Sequence, residues 1–369
     1  MGINYHQLGG GKRLSEIIFA GSHDASITNG GKAVQTQDLD IGKQANAGIR
    51  LFDLRILAQG GKNGASLVGY HGKGKSTSNV QLQSSHAKDD YSVNVSSGMK
   101  YGVTGLKLSN MLKQAKSFVT RGNSKEFLIL KFDKCTNYQL IADYCINILG
   151  SSIFVDQGKD FGRLTLDEVS RKVICVFNDK ALKDITQGAK DGILGFRSLK
   201  AKKGPAKAYT IGYKGLQYFG KGGTSAGAFW KTNKSKMSEN FKKQKKLMLQ
   251  MANADDLQSP YVLGMMYWTA TGSLSSIKSR NNLLWSKNTG VNKMDELWRC
   301  GLEASIDHQL SLDKILKRKS NQKMRMKAFF PNIIMIDFAS ADKCDTIFSL
   351  NKVKDDRLEK AYNQFKELS

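Results

Sequence analysis

Histidines and carboxylates that could transfer protons stand at three places in this chain of 369 residues. His23 and Asp24 are adjacent and follow the apolar run LSEIIF, whereas His71 follows the apolar segment SLVGY. Asp337 comes near the end of the apolar segment NIIMIDF. An imidazole has an ordinary pKa of about 6.5, so it can serve as a general acid or a general base near neutral pH. These residues therefore indicate acid/base chemistry.

A further strand-like segment, GIRLFDLRI at 48–56, carries both signs of charge. The two-residue period of a strand places Leu51, Asp53 and Arg55 on one face. The Arg55 guanidinium is a fixed cation with paired donors that suit phosphate oxygens. A structural interpretation is also open, in which Asp53 pairs with Arg55 or neutralises Lys131.

Short apolar, β-branched segments alternate with helical patterns along the chain. Strands are predicted near 16–20, 48–56, 66–70, 126–132, 171–177, 208–213, 261–268 and 332–338. Near-continuous apolar runs are typical of parallel strands that are covered on both faces. Helices are predicted over 37–47, 106–120, 138–149, 236–256, 295–318 and, at the C-terminus, 341–368. Segment 57–65 reads as a Gly-rich connection and 72–104 as a long polar loop.

This alternation predicts an α/β fold, namely a single irregular (β/α)8 TIM-type barrel with inserted loops and helices that occupies residues 1–369 as one domain. The chain is longer than the about 250 residues of a typical barrel, so insertions are expected. Catalytic groups of such barrels lie at the carboxyl ends of the strands. His23, His71 and Asp337 all fall at such predicted ends.

The order of the motifs GSHDASIT, GIRLFDLRI and a histidine that closes the next strand resembles the X-domain of phosphatidylinositol-specific phospholipase C, most of all its bacterial, calcium-independent branch. The resemblance covers residues 15–72 and extends to 106–132 and 332–338. It implies cleavage of a phosphodiester by attack of the inositol 2-hydroxyl on its own phosphorus. The implied products are diacylglycerol and a cyclic inositol phosphate.

The resemblance also implies a role for each residue. His23 would be the general base and His71 the general acid. Asp337 would orient His23, and Asp24 would pair with His71. Arg55 stands where the animal enzymes place a calcium-binding carboxylate, and a guanidinium can replace the electrostatic role of a metal. The resemblance therefore implies catalysis without a metal or another cofactor.

The expected headgroup site includes Lys131, which matches a lysine that the bacterial enzymes keep near the substrate, and Asp53. Those enzymes also hold inositol with an arginine after the fifth strand, but the matching place in RKVICVFNDK has Asn178 or Asp179. Asn178 is therefore a candidate binding residue. Aromatic candidates for a platform under the sugar ring are Trp268, Tyr213 and Tyr218.

Other interpretations stay open. The same residues could cleave a different phospholipid or phosphodiester, because the expected arginine is missing. A third interpretation is a catalytically inactive barrel that binds membranes or nucleic acid through its positive charge. At single positions, His23 could be an ordinary loop histidine, His71 an exposed one and Asp337 a cap.

The charge balance points to an anionic partner. Lys and Arg number 57 against 32 Asp and Glu, which gives a net charge of +25. Such an excess favours nucleic acid or an anionic membrane surface. Basic residues concentrate in 231–246 and 313–327, and the sequence has no zinc-finger spacing or RNA-binding aromatic signature. We therefore expect an anionic phospholipid surface and a phosphoinositide-type lipid as partners, and no nucleic acid.

Targeting signals are not apparent in the sequence. The N-terminal residues lack the apolar region of a signal peptide, and no stretch approaches the about 20 apolar residues of a membrane span. The five cysteines are scattered and never spaced C-x-x-C, which argues against a disulfide framework and a structural zinc. We expect a soluble protein with peripheral membrane contact. This pattern is compatible with a bacterial effector or toxin exported by a leaderless route.

Overall fold

The computed structural model describes residues 2–30, 34–61, 64–74, 99–200, 207–222, 233–252, 261–269, 276–287, 289–315 and 330–368. The strands, in chain order, are β1 (Phe19–Ser22), β2 (Ile49–Leu54), β3 (Ile56–Gly61), β4 (Gly64–Gly74), β5 (Met99–Lys107), β6 (Leu128–Phe132), β7 (Val173–Asn178), β8 (Ile193–Ser198), β9 (Gly215–Gly220), β10 (Leu263–Trp268) and β11 (Pro331–Ile336).

The helices between and after the strands are α1 (Ile41–Ala47), α2 (Leu108–Thr120), α3 (Tyr138–Leu149), α4 (Asn233–Ala252), α5 (Ile277–Leu284), α6 (Gly290–Ile315) and α7 (Ala341–Leu368). Helix α2 shows why such segments are helical, because its buried residues recur three or four positions apart, as in Leu108, Met111, Leu112 and Ala115. The apolar faces of the helices pack on the outside of the strands and form the larger hydrophobic core.

Eight of the strands close into a barrel in the order β1-β2-β6-β7-β8-β9-β10-β11. Every neighbouring pair in this barrel is parallel. This closed arrangement with helices around it confirms the predicted α/β class and the irregular (β/α)8 barrel. The single-domain assignment for residues 1–369 stays a prediction.

The inside of the barrel is filled by every second side chain of the strands. Phe19, Leu51, Ile129 and Met335 belong to this second, inner hydrophobic core. The same alternation leads from Leu51 to Asp53 in β2, and from Ile129 to the buried Lys131 in β6. Polar side chains therefore form the layer of the interior that lies nearest the carboxyl ends of the strands.

The expected third barrel strand at 66–70 is wrong. This segment belongs to β4, which pairs with β3 and β5 in a separate antiparallel sheet of three strands. The predicted connection at 57–65 contains most of β3, and the predicted loop at 72–104 contains the start of β5. A β-hairpin can pair locally without joining the barrel, and an apolar run gives no sign of which sheet it enters.

The expected strand at 208–213 is also wrong. The barrel instead contains β8 and β9, whose sequences ILGFRS and GLQYFG each carry glycine and so give a weak strand signal. The side chain of Gln217 bonds to the backbone of Thr210, accepting from its amide at 3.0 Å and donating to its carbonyl at 2.8 Å. The hydrogen-bonding groups of the Thr210 backbone are thus satisfied by a side chain and not by a neighbouring strand.

None of the described helices combines the length and the apolar character needed to cross a bilayer. Of the two basic segments, 231–246 coincides largely with α4. Residues 316–327 of the second segment lie outside the described residues.

Candidate active site

His23 and Asp337 are brought together because they follow two paired strands. The amide of His23 donates to the carbonyl of Ile336 at 3.0 Å, which continues the ladder between β1 and β11. The buried Gln37 side-chain amide donates to the carbonyls of His23 at 3.0 Å and Ile336 at 3.3 Å. Nδ1 of His23 lies 3.0 Å from Oδ1 of Asp337, so its N–H can donate to this carboxylate. This contact fixes the orientation of the ring.

The backbone after Asp337 is held by a lysine. Phe338 has a φ of +50°, which is unfavourable for an aromatic residue. Nζ of Lys343 donates to the carbonyl of Asp337 at 3.1 Å and to that of Phe338. Burial lowers the pKa of Lys343 to about 8, although the carboxylate of Asp337 opposes this shift. Lys343 therefore stabilises the strained turn that positions Asp337.

Asp24 lies at the centre of the site. The residue has a φ of +43°, a conformation that aspartate tolerates, and is 1% exposed. Its Oδ1 atom lies 2.8 Å from Nε of Arg55. Its Oδ2 atom lies 3.5 Å from Nε2 of His23 and 3.6 Å from Nε2 of His71. One buried carboxylate thus faces both imidazoles and the guanidinium, and its shortest contact is with Arg55.

His71 reaches this point from the antiparallel sheet. It lies inside β4 and not at the end of a barrel strand. The amide of Tyr70 donates to the carbonyl of Arg55 at 3.0 Å, which joins β4 to the end of β2. A Cβ atom at Gly69 would lie 2.1 Å from the hydroxyl of Ser26, so glycine is needed for the sheet to approach the turn after Asp24.

The two imidazoles differ in their affinity for protons. Burial lowers the pKa of His23, but the carboxylates of Asp24 and Asp337 more than offset this effect and raise it to about 9. Burial also lowers the pKa of His71, and the cations of Arg55 and His23 lower it further, while Asp24 opposes them. At neutral pH, His23 is therefore mainly an imidazolium and His71 mainly neutral.

Two permanent cations complete the electrostatics. Burial lowers the pKa of Arg55, but Asp24 and Asp53 outweigh burial and raise it, so the guanidinium stays charged. Nζ of Lys131 lies 2.8 Å from Oδ1 of Asp53, and both side chains are almost fully buried. The Lys131 ammonium also stands over the ring of Phe196, 4.5 Å from its centroid. These contacts fix the layer beneath the histidines.

A cavity of about 250 Å³ opens beside His23. It is slightly smaller than the about 300–1,000 Å³ of typical ligand sites, which suits a small polar group. Its lining includes His23, Asp53, Arg55, Lys131, Asp133, Lys134, Ser198, Lys200, Tyr218, Lys221 and Tyr267. Three expected binding features, namely Asp53, Lys131 and the aromatic Tyr218, are therefore brought together with His23 and Arg55.

Trp268, Asn178 and Tyr213 are not among the residues that line this cavity. Trp268 is fully buried in the outer core and donates from Nε1 to the carbonyl of Leu284 at 2.9 Å, so it faces away from the barrel interior. The amide of Asn178 instead contacts Asp133, and the hydroxyl of Tyr213 donates to Asp179. The expectation that Trp268 and Asn178 line the site is corrected accordingly.

Tyr267 was missed by sequence reasoning. Its ring lies edge-on to that of His23 with centroids 6.0 Å apart, and it belongs to the inner core. The alternation of β10 could have identified it, since neighbouring residues of a strand face opposite sides and only one of Tyr267 and Trp268 can point inward. Burial raises the pKa of Tyr218 and of Tyr267, so both hydroxyls remain protonated.

A metal ion could be held by His23, Asp24 and Asp53, whose ligand atoms lie within 4.8 Å of one another. Each carboxylate already has a cation at 2.8 Å, because Arg55 pairs with Asp24 and Lys131 pairs with Asp53. A divalent ion would therefore compete with two buried ion pairs for the same oxygens.

Comparison with known proteins gives structural neighbours only. No family model matches the chain, and no curated protein matches its sequence. PLC21 of S. officinalis is 12% identical over 77% of this chain and 29% of its own, with a TM-score of 0.34. A structure of phosphatidylinositol-specific phospholipase C from Staphylococcus aureus is 16% identical over 93% of this chain and 95% of its own, with a TM-score of 0.44. In another structure of that bacterial enzyme, 15% identical with a TM-score of 0.46, the similarity extends over 94% of this chain and 96% of the other.

Proposed function

We propose that this chain is a phosphodiesterase of the phosphatidylinositol-specific phospholipase C type, which cleaves a phosphoinositide-type lipid without a metal. The observation that carries the proposal is the position of Asp24, whose carboxylate faces His23, His71 and Arg55 at once. Two groups that can exchange protons and one permanent cation thus meet at the same end of the barrel. In-line displacement at phosphorus requires this combination.

The proposed reaction begins at the inositol 2-hydroxyl. His23, as the general base, removes the hydroxyl proton, and the oxygen attacks phosphorus. The bond between phosphorus and the glycerol oxygen breaks, and His71, as the general acid, gives its proton to that oxygen. The products are diacylglycerol and a cyclic inositol phosphate. His23 is left protonated and His71 neutral, so one proton returns from His23 to His71 through the solvent before the next turnover.

Arg55 would stabilise the charge that develops on the phosphate oxygens. Asp24 holds Nε of its guanidinium, which leaves the terminal nitrogens as donors. Because Asp24 and Asp53 both have cationic partners, the site favours a guanidinium over a divalent ion in this role.

The ring of the headgroup would occupy the cavity above Lys131 and Asp53. Charged groups that are already buried and paired can bond to ring hydroxyls without a large desolvation penalty on binding. Tyr218 and Tyr267 add protonated hydroxyls and flat apolar surface at the same wall.

The protonation states predict the pH dependence of the reaction. The reactive form needs a neutral His23 and a protonated His71. At neutral pH most molecules carry the proton on His23 instead, so the reactive form is the less populated of the two protonation states. Its population is greatest between the lowered pKa of His71 and the pKa of about 9 of His23. We therefore expect a bell-shaped profile with its optimum between these two values.

Helix α4 supports contact with an anionic bilayer. Its Asn240 donates to the carbonyls of Tyr267 and Thr269, both at 3.1 Å, so this part of the helix lies at the carboxyl end of β10, beside the cavity. Lys242 and Lys246 of the same helix are exposed. Each lysine near an anionic surface contributes about 1 kcal/mol to binding. Peripheral attachment through α4 would bring the site to the lipid, and a role as a bacterial effector or toxin stays a prediction.

A second candidate function is the same acid/base chemistry on another phosphodiester. It is favoured by the composition of the cavity wall. Among the described residues that line the cavity, Arg55 is the one arginine. A bidentate contact from a second arginine to the inositol ring would therefore have to be replaced by other donors.

The test measures release of diacylglycerol and cyclic inositol phosphate from phosphatidylinositol vesicles in excess chelator. Wild type is compared with His23→Ala, His71→Ala and the control His6→Ala. His6 pairs with Asp167, and its neighbour Tyr5 packs on Phe19 at the start of β1, so it lies at the opposite end of the barrel. We expect activity in wild type and control, and a loss of at least about a hundredfold in the other two variants.

Activity that survives both substitutions would remove His23 and His71 from the mechanism. Cleavage of phosphatidylglycerol, whose headgroup also carries a hydroxyl next to the phosphate ester, in place of phosphatidylinositol would support the second candidate. A wild-type protein that binds vesicles but cleaves none of these lipids would contradict both and leave the inactive barrel.

A further inference from the structure

The ring of His71 has weaker contacts with its surroundings than the ring of His23. Nδ1 of His23 lies 3.0 Å from Asp337, whereas Nε2 of His71 lies 3.6 Å from Asp24, which is too far for a hydrogen bond. Among the described residues, no group makes a hydrogen bond to the ring of His71, and its side chain is 27% exposed. The position of this ring therefore depends mainly on the strand that carries it, β4.

Tyr70, the residue before His71, joins β4 to the barrel. Its amide donates to the carbonyl of Arg55 at 3.0 Å, and its hydroxyl donates to the carbonyl of Lys134 in residues 133–136, which are called the β6 loop below. The side chain is 6% exposed, and burial raises its pKa, so the hydroxyl remains a protonated donor at neutral pH. Neighbouring residues of a strand face opposite sides. Tyr70 thus anchors one face of β4 while the other face presents His71.

The β6 loop also holds the backbone on both sides of Arg55. The amide of Asp133 donates to the carbonyl of Leu54 at 3.0 Å, and Sγ of Cys135 accepts from the amide of Ile56 at 3.2 Å. One loop is therefore bonded to the two neighbours of the guanidinium residue and, through the tyrosine hydroxyl, to the strand of the second imidazole. The bonds to the two neighbours do not involve that hydroxyl.

We propose that Tyr70 is a positioning residue that fixes the imidazole of His71 relative to the guanidinium of Arg55. The bond from its hydroxyl to the β6 loop would prevent β4 from moving away from the barrel and would keep the imidazole within reach of the leaving-group oxygen. Proton transfer needs heavy atoms about 2.6–3.2 Å apart, so a small displacement of the strand slows it. Loss of the hydroxyl should therefore impair the general acid and spare the guanidinium. This inference rests on the proposed function.

The experiment compares two water-soluble substrates, so that no bilayer contributes. Glycerophosphoinositol has a leaving group that needs a proton, whereas the leaving group of inositol 1-(p-nitrophenyl phosphate) does not. The full chain is assayed as wild type, as Tyr70→Phe and as the matched control Tyr5→Phe. Tyr5 is also buried, and its hydroxyl accepts from the amide of Ala20 at 3.3 Å, toward the opposite end of the barrel.

The expected result is a loss that depends on the leaving group. Tyr70→Phe should lose about tenfold in kcat on glycerophosphoinositol, which is the size expected for one lost hydrogen bond to a buried group. On the p-nitrophenyl substrate it should stay within about twofold of wild type, because that leaving group needs no acid. The control Tyr5→Phe should stay within about twofold of wild type on both substrates.

A double variant tests whether Tyr70 acts through His71. In the background His71→Ala, the substitution Tyr70→Phe should change kcat on glycerophosphoinositol by less than about twofold, because no acid is left to position. A further loss of about tenfold in the double variant would show that the hydroxyl acts on another group and would overturn the inference.

The outcomes separate this inference from the function. Cleavage of neither substrate by wild type contradicts the proposed function itself. If Tyr70→Phe equals wild type on both substrates, the inference is overturned while the function stands. The same holds if its activity falls equally on both substrates, whether through unfolding or through displacement of Arg55.

Discussion

Nδ1 of His23 and Oδ1 of Asp337 lie 3.0 Å apart, although 314 positions separate the two residues in the chain. They meet because β1 and β11 are neighbours in the closed barrel. Each residue comes directly after the last residue of its strand and continues the row of side chains that faces the barrel interior. In the proposed mechanism, Asp337 is thus a positioning residue that would act through His23. Its carboxylate also contributes to the high proton affinity of that ring.

Asp337→Asn should impair catalysis without unfolding the protein. The amide keeps the size of the side chain but lacks its charge, so His23 loses both its tautomer control and part of its raised pKa. We expect kcat to fall by about a thousandfold or more, and the pKa of His23 to fall below about 9. NMR titration of His23 measures the second effect. An unchanged titration together with lost activity would point to a structural role for Asp337.

The leaving group should distinguish His71 from His23. A p-nitrophenyl leaving group departs without protonation, whereas the glycerol oxygen needs a proton. We expect His71→Ala to recover to within about tenfold of wild type on inositol 1-(p-nitrophenyl phosphate), while His23→Ala stays at least about a hundredfold impaired. Recovery of His23→Ala in place of His71→Ala would reverse the two roles.

The loss of the proton from His23 should make the folded protein less stable as the pH rises. Its pKa is about 9 in the folded protein against 6.5 in the unfolded chain, so its contribution is fully present below pH 6.5 and is lost as the pH rises through 9. Between pH 6.5 and 8 the free energy of unfolding should fall by about 1.5 kcal/mol at most.

Lys343 affects stability in the opposite direction. Because its pKa is lowered to about 8 in the folded protein, its contribution to the free energy of unfolding increases only as the pH rises above about 8. Urea denaturation between pH 6.5 and 8 therefore reports mainly on His23, because the lowered pKa of His71 adds only a small rise in stability just above pH 6.5. The control His23→Gln should show a flatter dependence over this range. An equally steep fall in that variant would assign the effect to other groups.

Arg55 should be required for activity at every metal concentration. Arg55→Lys keeps the charge but loses the planar donors and the contact from Nε to Asp24. We expect a loss of about a hundredfold or more in kcat/KM, and no response of wild type to excess chelator or added calcium. Stimulation of wild type by calcium would contradict the role given to this guanidinium.

Membrane binding should depend on the exposed lysines of α4. Lys242→Gln/Lys246→Gln should weaken binding to vesicles that contain phosphatidylserine by about thirtyfold, since each lysine contributes about 1 kcal/mol. The matched control is Lys352→Gln/Lys360→Gln on α7, where both lysines are also exposed. Sedimentation with vesicles at low and high salt measures the effect. Binding that ignores both salt and the α4 substitutions would contradict the electrostatic attachment.

The sequence by itself determined the class of the fold and the chemistry-bearing residues near His23. Near-continuous apolar runs separated by helical periods indicate parallel strands, and the period of two in GIRLFDLRI directs Asp53 inward with Leu51. These signals are local, since they depend only on which side chains of one segment share a face.

Tertiary structure alone decided how these segments combine. It moved His71 from an expected barrel strand to the antiparallel sheet, replaced the expected strand at 208–213 with β8 and β9, and turned Tyr267 inward in place of Trp268. It also placed Asp24 nearer to Arg55 than to either imidazole. The physical reason is that strand pairing and register join residues that are distant in the chain, and no local pattern of side chains specifies the partner.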